Sequence, residues 1–141
     1  MRPNVLVVED TQQYRDNFCK LLSSCFPDIR ITDVEDGTTA LSITRLVHFD
    51  LIIIDYYLRA LSGGDIVRHL RRRANASGVA LPPIIVMSSH PDVAIFTRTM
   101  GATAFLSKPA RAEDVIALVG PLLEQSTGIL EAGLAAREFS G

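Results

Sequence analysis

Five residues of this 141-residue chain have types and positions that could do chemistry together. Glu9 and Asp10 directly follow the aliphatic run Val5–Val8, and Asp55 directly follows Leu51–Ile54. Ser88 follows Ile84–Met87, and Lys108 stands just beyond Ala104–Leu106. Of the 14 basic residues only Lys20 and Lys108 are lysines. Three carboxylates crowded together repel one another, and some take up protons unless a cation neutralises them. Mg²⁺ suits a site with few protein ligands and several waters, and it draws in a phosphoryl group by bridging its oxygens. A lysine ammonium is a compact charge for another phosphoryl oxygen, and a serine hydroxyl can donate to a third. An aspartate can itself be the nucleophile that accepts phosphate. Together these residues describe a phosphoryl-acceptor site.

For the five to meet, the runs that precede them must lie side by side. The chain alternates short apolar runs with helical stripes. Val5–Val8 and Leu51–Ile54 read as strands buried on both faces, and Ile29, Ile31 and Val34 as an alternating strand near an edge. Ile84–Met87 and Ala104–Leu106 complete five strands. Tyr14, Phe18, Leu21, Leu22 and Cys25 recur at helical spacing, and a second helix begins at Gly37. A Gly63-Gly64 turn precedes a third helix from about Asp65 to Ala74, and Asn75–Pro83 reads as a loop. A fourth helix is expected over Pro91–Met100, and a fifth from Ala112 that Gly120-Pro121 breaks or kinks. The expected fold is therefore α/β, a doubly wound five-stranded parallel sheet with five helices, of the flavodoxin-like kind. In such a sheet ligands bind beyond the carboxyl ends of the strands. All five residues fall on that rim.

The motifs Val5-Leu-Val-Val-Glu9-Asp10, Asp50-Leu-Ile-Ile-Ile-Asp55, Met87-Ser88-Ser89 and Leu106-Ser107-Lys108-Pro109 stand in order at successive strand ends. In this the chain resembles the receiver domains of two-component response regulators, over roughly residues 3–119. The resemblance implies that Asp55 is the phosphoacceptor. It implies that Asp10 and Asp55 ligate Mg²⁺ directly, Glu9 through water, and Tyr57 through its backbone carbonyl. Ser88 would be the switch hydroxyl, Lys108 the phosphate-contacting lysine, and Phe105 the aromatic that turns on activation. Pro109 would complete the family's Lys-Pro step, often a cis bond. A sensor histidine kinase or histidine phosphotransfer protein would supply the phosphoryl group. The domain would lose phosphate slowly rather than turn over as an enzyme. Three departures stand out: Arg59 replaces a usual proline, the fourth helix is about two residues short, and Tyr57 and His90 put bulk at positions that tune phosphate loss.

Composition narrows the alternatives. With 48% hydrophobic and 21% charged residues the chain has the profile of a soluble globule. Leu51–Ile54 is far too short to span a bilayer, and no apolar leader precedes Glu9, so a cytoplasmic, membrane-free protein is expected. Cys19 and Cys25 match no metal or redox spacing and read as reduced side chains on one helix. A net charge of −2 gives no nucleic-acid footprint. Arg68, Arg71, Arg72 and Arg73 could form an anionic docking patch, although a solvated outer helix face accounts for them more simply. An FMN carrier would need a glycine- and hydroxyl-rich cradle where Glu9-Asp10 would repel phosphate. Dinucleotide and P-loop glycine motifs are missing, and Ser88, His90 and Asp92 lie too close in sequence for a triad. The remaining rival is an adaptor that keeps the receiver fold but signals without phosphate. Residues 1–120 are taken as the receiver and 121–141 as a helical tail. That tail could mediate homodimerisation, begin a linker to an output domain, or fray.

Overall fold

Strand side chains alternate between the two faces of a pleated sheet, and here both sets are apolar. Each face therefore needs a helical cover. In a computed structural model that describes residues 2–125, this cover is complete. The elements are β1 (Asn4–Val8), α1 (Gln12–Cys25), β2 (Arg30–Val34), α2 (Gly37–Leu46), β3 (Leu51–Asp55), α3 (Gly63–Ser77), β4 (Ile84–Ser88), α4 (Val93–Met100) and β5 (Ala104–Ser107). A last helix, α5, covers residues 112–125. All strand pairs are parallel, in the order β2-β1-β3-β4-β5. That is the flavodoxin-like doubly wound sheet.

Alternation divides the core in two. Val5, Val7, Leu51, Ile53, Ile85, Met87 and Leu106 pack with Phe18 and Leu22 of α1 and with Val115 and Val119 of α5. Leu6, Val8, Ile52, Ile54, Ile84 and Val86 pack with α2, α3 and α4 through Ala40, Ile66, Val67, Leu70, Val93 and Met100. β1, β3 and β4 hold the centre, which is why their runs are continuously apolar. β2 is an edge strand, as its alternation suggests. Cys19 and Cys25 are free thiols, each half-buried on α1.

Four helix boundaries differ from the expected ones. Gly63 and Gly64 are not a turn but the first residues of α3. Ser62 accepts from the Asp65 N–H at 3.1 Å while the Asp65 carboxylate accepts from the Ser62 N–H at 3.1 Å, and this reciprocal cap starts the helix early. α3 also runs on to Ser77, ending where Gly78 adopts φ +72°. Pro91 lies in the turn before α4 rather than within it. Finally, Gly120-Pro121 does not end α5, which continues through residue 125. Pro121 removes one helix hydrogen bond, but Leu122 and Leu123 just beyond it are buried in the α1–α5 core and hold the chain helical. The readings of residues 126–141 lie outside the described residues. No helix among the described residues is long and apolar enough to cross a membrane.

Candidate functional site

The strand register assembles the rim. Val8 pairs with Ile54, so Glu9 and Asp55 are the next residues on adjacent strands. Asp55 pairs with Met87 and Ser88 with Ser107, which sets Lys108 one step further on. The ladder continues past the strand ends, since Lys108 N–H donates to Ser88 C=O at 2.9 Å and Tyr56 N–H to Met87 C=O at 2.8 Å. Glu9, Asp55 and Lys108 share the parity of the α1–α5 face. Phe105 packs on the opposite face, and Ser88 has the parity of Ile84 and Val86 there.

The acids converge. Carboxylate oxygens of Glu9, Asp10 and Asp55 all lie within 4.8 Å of one another. Lys108 Nζ bridges two of them, 3.1 Å from Glu9 Oε2 and 3.3 Å from Asp55 Oδ2. Glu9 is completely buried and Asp55 nearly so. Burial, and then the neighbouring Glu9 charge, push the Asp55 carboxyl up to about 7 against the pull of Lys108. Burial alone would lower Lys108, but the two acids outweigh it and the ammonium is held more tightly than usual. Asp55 thus keeps a proton close to neutrality, in a place where a second positive charge would be welcome. Glu9, Asp10 and Asp55 form an all-oxygen donor set that fits a hard divalent ion such as Mg²⁺.

The other expected residues surround this cluster. Ser88 is buried, and its Oγ accepts the His90 N–H at 3.0 Å, leaving the hydroxyl hydrogen without an acceptor among the described residues. It makes no hydrogen bond to the acids. Phe105 is half-buried against the α4 side of the core, opposite Val86 and two residues from the level of Ser88. Tyr57 is largely exposed, and its ring lies 4.7 Å from that of His90. The Lys108–Pro109 peptide is cis.

Two contributors do more than the sequence reading gave them. Tyr14 read only as part of a helical stripe, yet Lys108 Nζ sits 4.1 Å above its ring, a cation–π contact that helps aim the ammonium. Its position four residues after Asp10, on the first turn of α1, was the available signal. Gly63 does more than start α3. Its N–H donates to Tyr56 C=O at 2.7 Å, and a Cβ there would lie 2.6 Å from the Asp55 carbonyl oxygen. Only glycine lets the loop close this tightly behind the acid. A cavity of about 370 Å³, lined by Phe49, Ile52, Leu70, Arg45 and Arg73, opens between α2 and α3 near the other end of the strands.

Strand order, rim and acid cluster together define the class, a doubly wound module with an acidic receiver-like site at the carboxyl ends of its strands. The model of the response regulator receiver domain matches residues 5–120, and the chain belongs to that family of two-component signalling domains. It is 29% identical over 139 residues to the sensory transduction protein RegX3 of Mycobacterium tuberculosis, covering 92% of this chain and 58% of the relative. It is 24% identical over 138 residues to the cyclic di-GMP phosphodiesterase response regulator RpfG of Xanthomonas campestris, covering 96% of this chain and 36% of that one. The chain thus spans only part of the curated relatives it matches. Among solved structures, the chemotaxis response regulator CheY4 of Vibrio cholerae superimposes with a TM-score of 0.73 at 22% identity, covering 86% of this chain and 99% of that one.

Proposed function

We propose that this domain is a Mg²⁺-dependent switch that takes a phosphoryl group on Asp55 from a sensor histidine kinase or a histidine phosphotransfer protein. The reading rests above all on Lys108 Nζ reaching both Glu9 and Asp55 within one cluster of three acids. In the transfer, an ionised Asp55 oxygen forms a bond to phosphorus as the phosphorus–nitrogen bond to the donor imidazole breaks. The imidazole leaves with that electron pair. Asp10 and Asp55 directly, Glu9 through water and the Tyr57 carbonyl would hold the metal, whose charge favours the ionised acceptor and offsets charge on the phosphoryl oxygens. Lys108 then exchanges one carboxylate for a phosphoryl oxygen, and Ser88 donates its unused hydroxyl hydrogen to another. The rings of Tyr57 and His90 shield the mouth and slow attack by water, so self-dephosphorylation is slow. A cytoplasmic location and dependence on a partner kinase belong to the same reading.

The test is intact-mass analysis after incubation with acetyl phosphate and Mg²⁺. Wild type should gain about 80 Da, the mass of one phosphoryl group. Chelating the metal or making Asp55→Asn should abolish the gain. No adduct on wild type would favour an adaptor that signals without phosphate, and an adduct retained by Asp55→Asn would move the acceptor elsewhere.

A further inference from the structure

Asp10 is the one acid of the three that Lys108 does not reach, and a different cation lies against it. Lys108 pairs with Glu9 and Asp55, whereas Asp10 Oδ2 lies 3.7 Å from Arg59 Nε. Arg59 sits in the β3–α3 loop, four residues after Asp55, and its backbone is unusual. Leu61 N–H donates to Arg59 C=O at 2.8 Å across Ala60, which adopts φ +66°. A hydrogen bond closed over three residues with the middle one at positive φ is a rare and strained turn. Strain of this kind at the mouth of a site invites a functional reading. Each carboxylate of the cluster has a cation of the protein's own beside it.

We propose that Arg59 is a tethered cation that competes with Mg²⁺ for Asp10, so that metal binding must displace its guanidinium. This rests on the reading of Glu9, Asp10 and Asp55 as metal ligands. A guanidinium cannot lose its proton in a protein, so the competition persists at every working pH. The Arg59 side chain is 87% exposed and that of Asp10 19%, so the pair is weak and screened by salt. The competition therefore tunes metal affinity rather than preventing binding.

Titration calorimetry of MgCl₂ into the full chain tests this, since it reads binding and not phosphorylation. Arg59→Gln removes the charge and keeps the backbone, and it should bind Mg²⁺ about three- to ten-fold more tightly than wild type at low salt. Arg59→Lys should stay near wild type, and the gap between Gln and wild type should close near about 0.5 M KCl. Equal binding by Arg59→Gln and wild type would overturn the role of Arg59 while leaving the metal site intact. So would a gap that persists in high salt, or an equal gain in Arg59→Lys, because both would mean that loop backbone and not charge sets the affinity. Absence of Mg²⁺ binding in both proteins would overturn the metal reading and this inference together.

Discussion

Asp55 sits where its neutral form is favoured. Burial and the adjacent Glu9 charge lift it to about 7, from about 3.9 for an aspartate in an unfolded chain. Between those values the folded, metal-free domain binds a proton that the unfolded chain has released. Stability from this group is thus fully present below the unfolded value and is lost as pH rises through the folded one. Without metal, the urea midpoint should fall between about pH 4 and pH 7. Asp55→Asn, which cannot ionise, should flatten that slope and exceed wild type by about 1–2 kcal/mol at the alkaline end. Mg²⁺ competes with the same proton, so its stabilising effect should grow over the same window. Equal slopes in the two proteins would refute a raised Asp55. The positions of Glu9, Asp10, Asp55, Ser88 and Lys108 were legible because each lies within two residues of the end of an apolar run, and a parallel sheet puts all such positions on one rim. Tyr14 and the Arg59–Asp10 pair were not legible, because a helix stripe and an exposed arginine have commoner uses.

At the scale of elements, β1, β3 and β4 were plain because a strand buried on both faces admits little besides aliphatic residues. Helix ends were harder to read. The start of α3 was hidden by two glycines that usually mark turns and by an aspartate where the reciprocal cap ordinarily has glutamate or glutamine. Ser62→Ala should cost about 1 kcal/mol in urea unfolding by removing half of that cap. Gly63→Ala should cost more, about 1–3 kcal/mol, because its methyl would meet the Asp55 carbonyl oxygen and the Tyr56 Cα, backbone atoms that cannot turn aside. It should also slow labelling by acetyl phosphate, since relieving the clash shifts the acceptor. If Gly63→Ala matched wild type in both stability and labelling rate, the close approach would not constrain the site. Pro121 misled for a related reason. Local sequence marks a helix break there, but burial of Leu122 and Leu123 decides the outcome.

For the whole molecule, the question is how charge on one face of the sheet reaches a surface on the other. Glu9, Asp55 and Lys108 have the parity of the α1–α5 side, while Phe105 packs on the α4 side and Ser88 has that parity. On the proposed reading Ser88 and Phe105 would link the two. A phosphoryl group on Asp55 adds negative charge and acceptor oxygens, and the free hydroxyl hydrogen of Ser88 is the donor placed to answer it, at the cost of the bond from His90 N–H. Movement of Ser88 and the chain after it would open space on the α4 side. Phe105, half-buried and opposite Val86, can turn inward and fill it. Apolar burial would then convert a local electrostatic change into a new arrangement of α4 and β5, where Ile95 and Phe96 are already exposed. The modification shifts the equilibrium only as far as its contacts differ between the two states, so removing the Ser88 contact should uncouple them. Ser88→Ala should still gain the phosphoryl mass, because Asp55, Lys108 and the metal ligands remain. Amide exchange over residues 88–108, compared with and without beryllofluoride and Mg²⁺, should show a clear change in wild type and a much smaller one in Ser88→Ala. An equal change in both proteins would mean that the signal leaves the site by another route, through the β3–α3 loop rather than through β4 and β5.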